Sequence, residues 1–397
     1  MRVVHTADWH LGAVLKQVQR LSGQLERVEE VLRICDERGV DLLLVAGDVI
    51  DETSPTRMAP LMGRLGDLLR PRLERGMTAV FLAGNHDRAW IFPLLQVAGE
   101  LYGGEFDASR LHFCSQPELR VVTSTSGERL RLMLLPYPWS WNYSLEAVQG
   151  ADAADRHGQI RLAVQQRIAE MEAEAKASEN LPTIVAGHLL ITGVRANLHE
   201  LTEAEDVPLP QVVLPNYPYV ALGHIHQPLS LGKPTVRYSG SIERMDFGEI
   251  GEEKGVVLLD IGAGGLNSEP EVIPLHPTEL CQVDWRPGDC IEEKAATVPE
   301  GAICKLTIRL ERGMSPQMIQ AAARTLIGRR LLWPPEISWA GTEAGGSTGS
   351  RASDRADWRQ KVREFVASQL AEDDSMRAPV VAAVEQLIAE EEVAAAG

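Results

Sequence analysis

Five short apolar runs, at 3–4, 42–45, 79–82, 183–185 and 219–222, read as buried strands. Stretches this short and this rich in Val, Leu and Ala suit strands covered on both faces. Further strands are expected at 130–135, 235–238, 255–260 and 272–275, and helical patterning marks 24–38, 55–69, 90–101 and 155–177. The last of these is charged enough to lie on the surface. Strands and helices that alternate through the first 275 residues predict a layered α/β domain. The helix at 55–69 gathers Met58, Leu61, Met62, Leu65 and Leu69 on one face, which either enters the core or meets a second chain.

The pattern shifts near residue 277. Apolar positions in 303–310 alternate with Lys305, Thr307 and Arg309 like a half-exposed strand, followed by an expected helix at 316–327 and a strand at 336–339. Residues 342–353, rich in Gly, Ser and Thr, read as a flexible linker. Beyond it, 354–370 and 376–392 read as two helices, one striped with Trp358, Val362, Phe365 and Val366, the other with Val380, Val384, Leu387 and Ile388. A helix pair on a tether cannot bury both stripes by itself, so a partner groove or the chain's own body is expected to cover them.

Each of the five runs leads into candidate metal ligands: Asp8-Trp9-His10, Gly47-Asp48, Gly84-Asn85-His86-Asp87, Gly187-His188 and Gly223-His224-Ile225-His226. Side chains at i and i+2 of an extended segment point the same way, so Asp8 with His10, and His224 with His226, are each expected to face one cavity. A glycine ahead of Asp48, Asn85, His188 and His224 is expected to let the chain bend sharply and a small anion approach. Carboxylate, imidazole and amide donors without cysteine suit manganese, iron or zinc better than a structural zinc site. Seven such side chains are too many for one ion but enough for two if Asp48 bridges them. Two bridged ions can clamp a phosphoryl oxygen for in-line attack, so phosphoester hydrolysis is the reaction expected.

The order D-x-H, GD, GNHD, GH, GHxH resembles the calcineurin-like metallophosphoesterase superfamily. Within it, His5-Thr6-Ala7-Asp8-Trp9-His10-Leu11-Gly12, Tyr238-Ser239-Gly240-Ser241-Ile242-Glu243 and Asp246-Phe247-Gly248-Glu249 resemble the SbcD branch, the nuclease subunits of bacterial SbcCD complexes and counterparts of the archaeal and eukaryotic double-strand-break repair nuclease. The likeness is good over roughly residues 1–275 and holds in outline beyond. It implies an α/β fold: a two-sheet sandwich flanked by helices with metals at one rim, a small α+β capping domain and C-terminal helices. The implied divisions are a nuclease domain at 1–276, a DNA-selecting cap at 277–340, a linker at 341–353 and a helical partner-binding element at 354–397.

The same resemblance implies two divalent ions, Mn2+ in the first instance. Asp8, His10, Asp48 and His226 would hold one, and Asp48, Asn85, His188 and His224 the other. His86 is then the general acid, as suits an imidazole. Archaeal and eukaryotic relatives carry a histidine three residues after the bridging aspartate, where this chain has Asp51. That favours the bacterial branch and leaves Asp51 to orient His86 or to cap the helix near Pro55. Asp87 is expected to orient His86 or cap the following helix. The implied activity is double-strand exonuclease and single-strand endonuclease on DNA. The implied assembly is a homodimer within a heterotetramer, its C-terminal helices docked on the coiled coil of an SbcC-type ATPase. No GxxxxGK[ST] phosphate loop occurs, so ATP hydrolysis belongs to that partner.

Composition bounds these expectations. The 397-residue chain is 44% apolar with no apolar run of membrane-spanning length, which leaves room for two or three domains and none for a span. Strand and ligand patterning from the first residues leaves no place for a secretory leader, and Cys35, Cys114, Cys281, Cys290 and Cys304 lack C-x-x-C spacing. A cytoplasmic protein with five small, buried, reduced thiols is the expectation. A net charge of −17 opposes nucleic-acid binding, although 301–333 sets Lys305, Arg309, Arg312, Arg324, Arg329 and Arg330 against Glu311 alone. Those residues are either a DNA-facing patch or a solvated helix face. Two other functions stay open: a phosphoesterase for small esters, which the cap and tethered helices disfavour, and a DNA-end scaffold, which an intact ligand set disfavours. His5, His112, His157, His199 and His276 read as core or surface histidines, and Trp9 as packing beneath the ligands. Trp139 and Trp141, in Pro136-Tyr137-Pro138-Trp139-Ser140-Trp141, read as a rigid packed loop or as a stack for a base.

Overall fold

A computed structural model describes residues 1–310, except 16–17, 53, 89–90, 102–106, 140–141, 144–152, 193–206, 212–213, 215 and 287, together with the strand Glu336–Trp339. How patterning becomes layers is clearest at Leu42–Val45, a strand apolar and buried at every position. Alternation sends Leu42 and Leu44 toward the second sheet and Leu43 and Val45 toward the helices. The same division repeats in neighbouring strands, with Val3, Val80 and Leu82 between the sheets and Val4, Ala79 and Phe81 under the helices.

The first sheet runs Gly265–Leu266, Gly255–Gly262, Arg2–Thr6, Leu42–Val45, Thr78–Leu82, Leu111–Cys114, and Glu271–Pro274 also pairs with Gly255–Gly262. The second runs Leu229–Leu231, Lys233–Tyr238, Tyr219–Gly223, Thr183–His188, Arg129–Leu135, Glu118–Thr123. Helices α1 (Leu21–Arg38), α2 (Pro55–Glu74) and α3 (Ile91–Leu101) cover the outside of the first sheet through Val28, Val31, Leu61, Leu65 and Phe92. Helix α4 (Ala153–Ala177) covers the second through Val164, Ile168 and Met171. The result is the expected two-sheet sandwich with helices on both sides.

Helix ends follow local chemistry. Helix α1 stops at Gly39, whose φ of 60° a side chain would resist. Helix α2 opens on Pro55, pre-set for a first turn whose N–H needs no partner, and runs on through Pro60 and Pro71. Its stripe is not available to a second chain: Met58, Leu61, Leu65 and Leu69 are each at most 6% exposed in the protein's own core, and Met62 packs partly buried against them. Core burial therefore takes that face from the dimer surface considered above.

A smaller sheet is ordered Leu280–Trp285, Ile303–Leu310, Glu336–Trp339, with the short helix α5 (Ile291–Ala296) between its first two strands. Its own cluster includes Val283, Trp285, Ala295, Leu306 and Ile308, while Leu15, Leu280 and Ile303 pack together with Val18 and Phe247. The chain divides into two compact units, Met1–Ser338 and Trp339–Gly397. The expected helices at 316–327, 354–370 and 376–392, the linker, and Trp141, His199, Arg312, Arg324, Arg329 and Arg330 lie outside the described residues. Of the remaining basic residues in that stretch, Lys305 stands over the Phe247 ring and Arg309 lies 3.9 Å from Asp284.

All five cysteines are free thiols. Cys35, Cys114 and Cys304 are buried as expected, but Cys281 is half-buried and Cys290, just ahead of α5, is exposed. Among the described residues no helix is long and apolar enough to cross a membrane.

Candidate dinuclear metal centre

Parallel strands end together, and here five of them do so along one rim. Arg2–Thr6, Leu42–Val45 and Thr78–Leu82 deliver Asp8, His10, Asp48 and Asn85 from the first sheet, while Thr183–His188 and Tyr219–Gly223 deliver His188, His224 and His226 from the second. Past the strands the first two loops stay zipped: Asp8, His10 and Leu11 N–H groups donate to the carbonyls of Gly47, Asp48 and Val49. The backbone there is not extended. Asp8, His10, Asp48 and His224 have φ of 52°, 45°, 52° and 101°, and they are the four non-glycine residues with positive φ among those described. The i, i+2 argument for pairing Asp8 with His10 and His224 with His226 thus fails in its premise. The pairs converge through left-handed turns, a strained backbone that tight surroundings must hold.

Only Gly47 of the four glycines ahead of these ligands has a positive φ, 100°, so sharp bending is not the common reason for them. Close packing is. A Cβ on Gly47 would lie 2.1 Å from His188 Nδ1, and one on Gly84 would lie 2.1 Å from Asp48 Oδ1. Gly47 and Gly84 let ligands from different strands approach, while Gly187 and Gly223 make room for Leu189 and for Ala46 and Ala7.

The seven side chains fall into two groups sharing Asp48. In the first, His10 Nε2 lies 3.1 Å from His226 Nε2 and 3.6 Å from Asp48 Oδ2, and Asp8, His10 and His226 present donor atoms all within 4.8 Å of one another. In the second, Asn85 Oδ1 lies 3.0 Å from His188 Nε2 and 3.1 Å from His224 Nδ1, while His188 Nε2 lies 3.2 Å from Asp48 Oδ2. One carboxylate oxygen, Asp48 Oδ2, thus belongs to both groups. The other, Oδ1, accepts from the His86 N–H at 2.8 Å, which fixes the rotation of the carboxylate.

The donors suit divalent cations. His188 Nδ1 donates to the Ala46 carbonyl at 2.8 Å, which aims Nε2 at two oxygens. Three electron-pair donors that face one another need a positive charge among them, either a proton or a metal ion. Burial pulls the His188 imidazole pKa down, but the Asp48 carboxylate beside it holds it up at about 9. Burial and neighbouring imidazoles push His10 the other way, to about 3, even with Asp48 nearby, which leaves a neutral ring ready to donate. Burial would raise Asp48, yet His188 and His10 keep it well below the usual carboxylate range.

Around the donors stands a supporting shell. His226 Nδ1 lies 3.3 Å from Glu249 Oε1, and the fully buried Lys254 ammonium lies 2.6 Å from Glu249 Oε2 and donates to the His226 carbonyl at 2.9 Å. Burial opposes ionisation of Glu249, but His226 and Lys254 bring its pKa down to about 2. Sequence reasoning assigned neither residue a role at the site. Glu249 sat inside a motif used only for resemblance, and a single lysine gives no signal.

His86 stands at the mouth, with its side chain 37% exposed, and Nδ1 lies 3.0 Å from Asp51 Oδ1. Asp51 also lies 3.8 Å from His10 Nδ1, and His86 and His10 together hold its carboxyl low against the effect of burial. The Asp87 carboxylate instead accepts from the N–H groups of Val49, Ile50 and Gly84, tying the Asp48 and Asn85 loops together. Burial and the Asp48 charge raise it to about 7. Trp9 is fully buried, donates to Thr6 Oγ1 at 3.0 Å and meets Phe81 edge-on. His5 is buried against Tyr219, His112 pairs with Glu118 and His276 with Glu30, all away from the donor groups.

Comparisons with known proteins agree with this geometry. Residues 1–228 match the calcineurin-like phosphoesterase family. The chain is 31% identical over 288 residues to the D component of the SbcCD nuclease of Rhodobacter capsulatus, covering 69% of each chain. It is 27% identical over 302 residues to the same component in Staphylococcus epidermidis, covering 74% of this chain and 75% of the relative. The corresponding figures for the Bacillus subtilis protein are 26% over 333 residues and 80% of each.

Proposed function

From the premise that this chain belongs to the calcineurin-like phosphoesterase family, alongside the D components of SbcCD nucleases, we propose that it is a metal-dependent DNA nuclease subunit. The reading rests above all on one observation: Asp48 Oδ2 is common to two donor groups. Asp8, His10, Asp48 and His226 would hold one divalent ion and Asp48, Asn85, His188 and His224 the other, with Mn2+ our choice among the manganese, iron and zinc that this oxygen and imidazole set suits. Such a pair supplies Lewis-acid activation of water and of the phosphoryl group.

The chain's own residues do the rest. His86, exposed beside the donors, protonates the leaving oxygen, and Asp51 orients its ring through Nδ1. Glu249 and Lys254 hold His226 in place, as a carboxylate beyond a ligating histidine commonly does. Asp87 keeps two ligand loops in register. Residues 277–340 would act as the DNA-selecting cap. We further assign the chain a place beside an SbcC-type ATPase, engaged through 354–397, as a homodimer within a heterotetramer.

The test is an assay of the purified chain with Mn2+ on labelled duplex, hairpin and single-stranded DNA beside a chromogenic phosphodiester, with and without the ATPase. The expected result is metal-dependent cleavage of DNA. Cleavage of the small ester with no action on any DNA, even with the ATPase present, would leave a small-ester phosphoesterase instead.

A further inference from the structure

The two flanks of the donor cluster differ in chemistry. On the His10 and His226 side the cleft is lined by Asp51, His86, Arg20 and Met245. On the side of His188 and His224 it is aromatic. The Tyr137 ring lies 5.8 Å from the His224 ring and 6.2 Å from that of His188, and Trp139 lies 4.9 Å from Tyr137 at 63°. The smaller ring is the one put away: Tyr137 is 3% exposed and Trp139 37%. A loop shaped only by its own packing would bury the larger apolar ring first.

The described residues of the loop are held by hydrogen bonds and two prolines. Pro136 and Pro138 limit its backbone. Tyr137 N–H donates to the Ala83 carbonyl at 3.0 Å, which anchors the segment to the strand end that carries Asn85. The Asn142 side chain donates to the Tyr137 carbonyl at 2.8 Å, the Asn142 N–H to the Trp139 carbonyl at 3.2 Å, and Tyr143 Oη to the Pro136 carbonyl at 3.1 Å. The backbone that carries the indole is thus held, and the ring stands part in water, one ring removed from the donor cluster.

We propose that Trp139 is a stacking platform for a nucleobase of the substrate strand next to the scissile phosphate, on the His188 and His224 side. The proposal rests on the nuclease reading and gives it a means of holding DNA. With a net charge of −17, the chain has little general attraction for a polyanion. Stacking on an aromatic face depends on neither surface charge nor base identity, since every base has a π-face. Substrate affinity would then come from the metal centre and this ring together.

The test compares the full-length wild type with Trp139→Ala, Trp139→Leu and Trp139→Phe in Mn2+, on a single-stranded oligonucleotide and on bis(4-nitrophenyl) phosphate, the latter read by kcat at saturation because its own flat rings can also meet the indole. Loss of one stacked base should raise KM for the oligonucleotide about ten- to a hundredfold in the Ala and Leu variants. Turnover of the small ester should stay within about twofold, which also reports an intact fold, and the Phe variant should recover most of the affinity. If Ala and Leu leave the oligonucleotide KM unchanged, the stacking role is wrong while the nuclease reading stands. A wild type that turns over the ester but cuts no DNA would remove the nuclease reading and this proposal with it. Should Ala lose ester turnover, Leu, closer in volume, decides the matter.

Discussion

Residues 42–45 and 46–51 are consecutive in the chain yet meet opposite demands. The strand is apolar throughout, extended and divided cleanly between two cores. The loop after it packs Asp48 against His188 and two further imidazoles, with a left-handed backbone at the aspartate itself. One segment gains stability by burying hydrocarbon, at roughly 1.5–3 kcal/mol for a large side chain. The other gives stability up, because buried like charges and left-handed backbone both oppose folding. The strands thus stabilise a rim whose purpose is chemistry, and substitutions on either side of Val45 should affect different quantities.

The sharpest contrast is expected from Asp48→Asn. It should lower Mn2+-dependent turnover roughly a thousandfold or more, while the thermal stability of the metal-free protein falls less than in a core truncation, because only the attraction between Asp48 and the His188 and His10 rings is lost. A variant that retains near-normal turnover in titrations with Mn2+ would break the comparison. Leu44→Ala should do the reverse, costing about 2–5 kcal/mol in denaturant unfolding. Activity per folded molecule at low temperature should be preserved, and a loss of metal affinity as large as that of Asp48→Asn would show that rim and core are not separable.

Two variants probe the rim more finely. His86→Ala should cut kcat on DNA by about a hundredfold or more while both metals stay bound. The effect on an ester with a nitrophenolate leaving group, which needs no proton, should be much smaller. Equal losses on both substrates would count against proton donation by His86. Glu249→Gln should weaken metal binding by about ten- to a hundredfold, as read by competition with a chelator, through the released His226 ring.

The smallest effect lies at Glu118, on the edge strand of the second sheet. Burial would raise its pKa, but His112 and Arg120 hold it below the ordinary 4.5. A carboxyl lowered on folding contributes stability that is present above pH 4.5 and fades as the pH falls below that value. Melting curves of the wild type should therefore drop more steeply below that pH than those of Glu118→Gln. Parallel curves would show that the pair contributes nothing.

How much of this was legible from residues follows the same division. The strand at 42–45 could be read directly because a doubly covered strand must be apolar at every position, and the ligands could be read because each follows such a run. Glu118–Thr123 escaped because an edge strand with Glu118 and Arg120 shows no clean alternation. The reason for Gly84 was hidden because it lies in a contact with Asp48, 36 positions earlier, rather than in its own φ. Glu249 and Lys254 were beyond reach for a like reason: a carboxylate at 3.3 Å from His226 and an ammonium against it become partners only once the chain has folded. Local rules reveal strands and ligand types, while supporting residues are set by distances between segments.

The most direct test of the central claim is anomalous scattering at the manganese edge from crystals of the full chain soaked in Mn2+. Two peaks are predicted, one among Asp8, His10 and His226 and one among Asn85, His188 and His224, with Asp48 between them. A single peak away from Asp48, or none, with the seven side chains turned from one another, would contradict it.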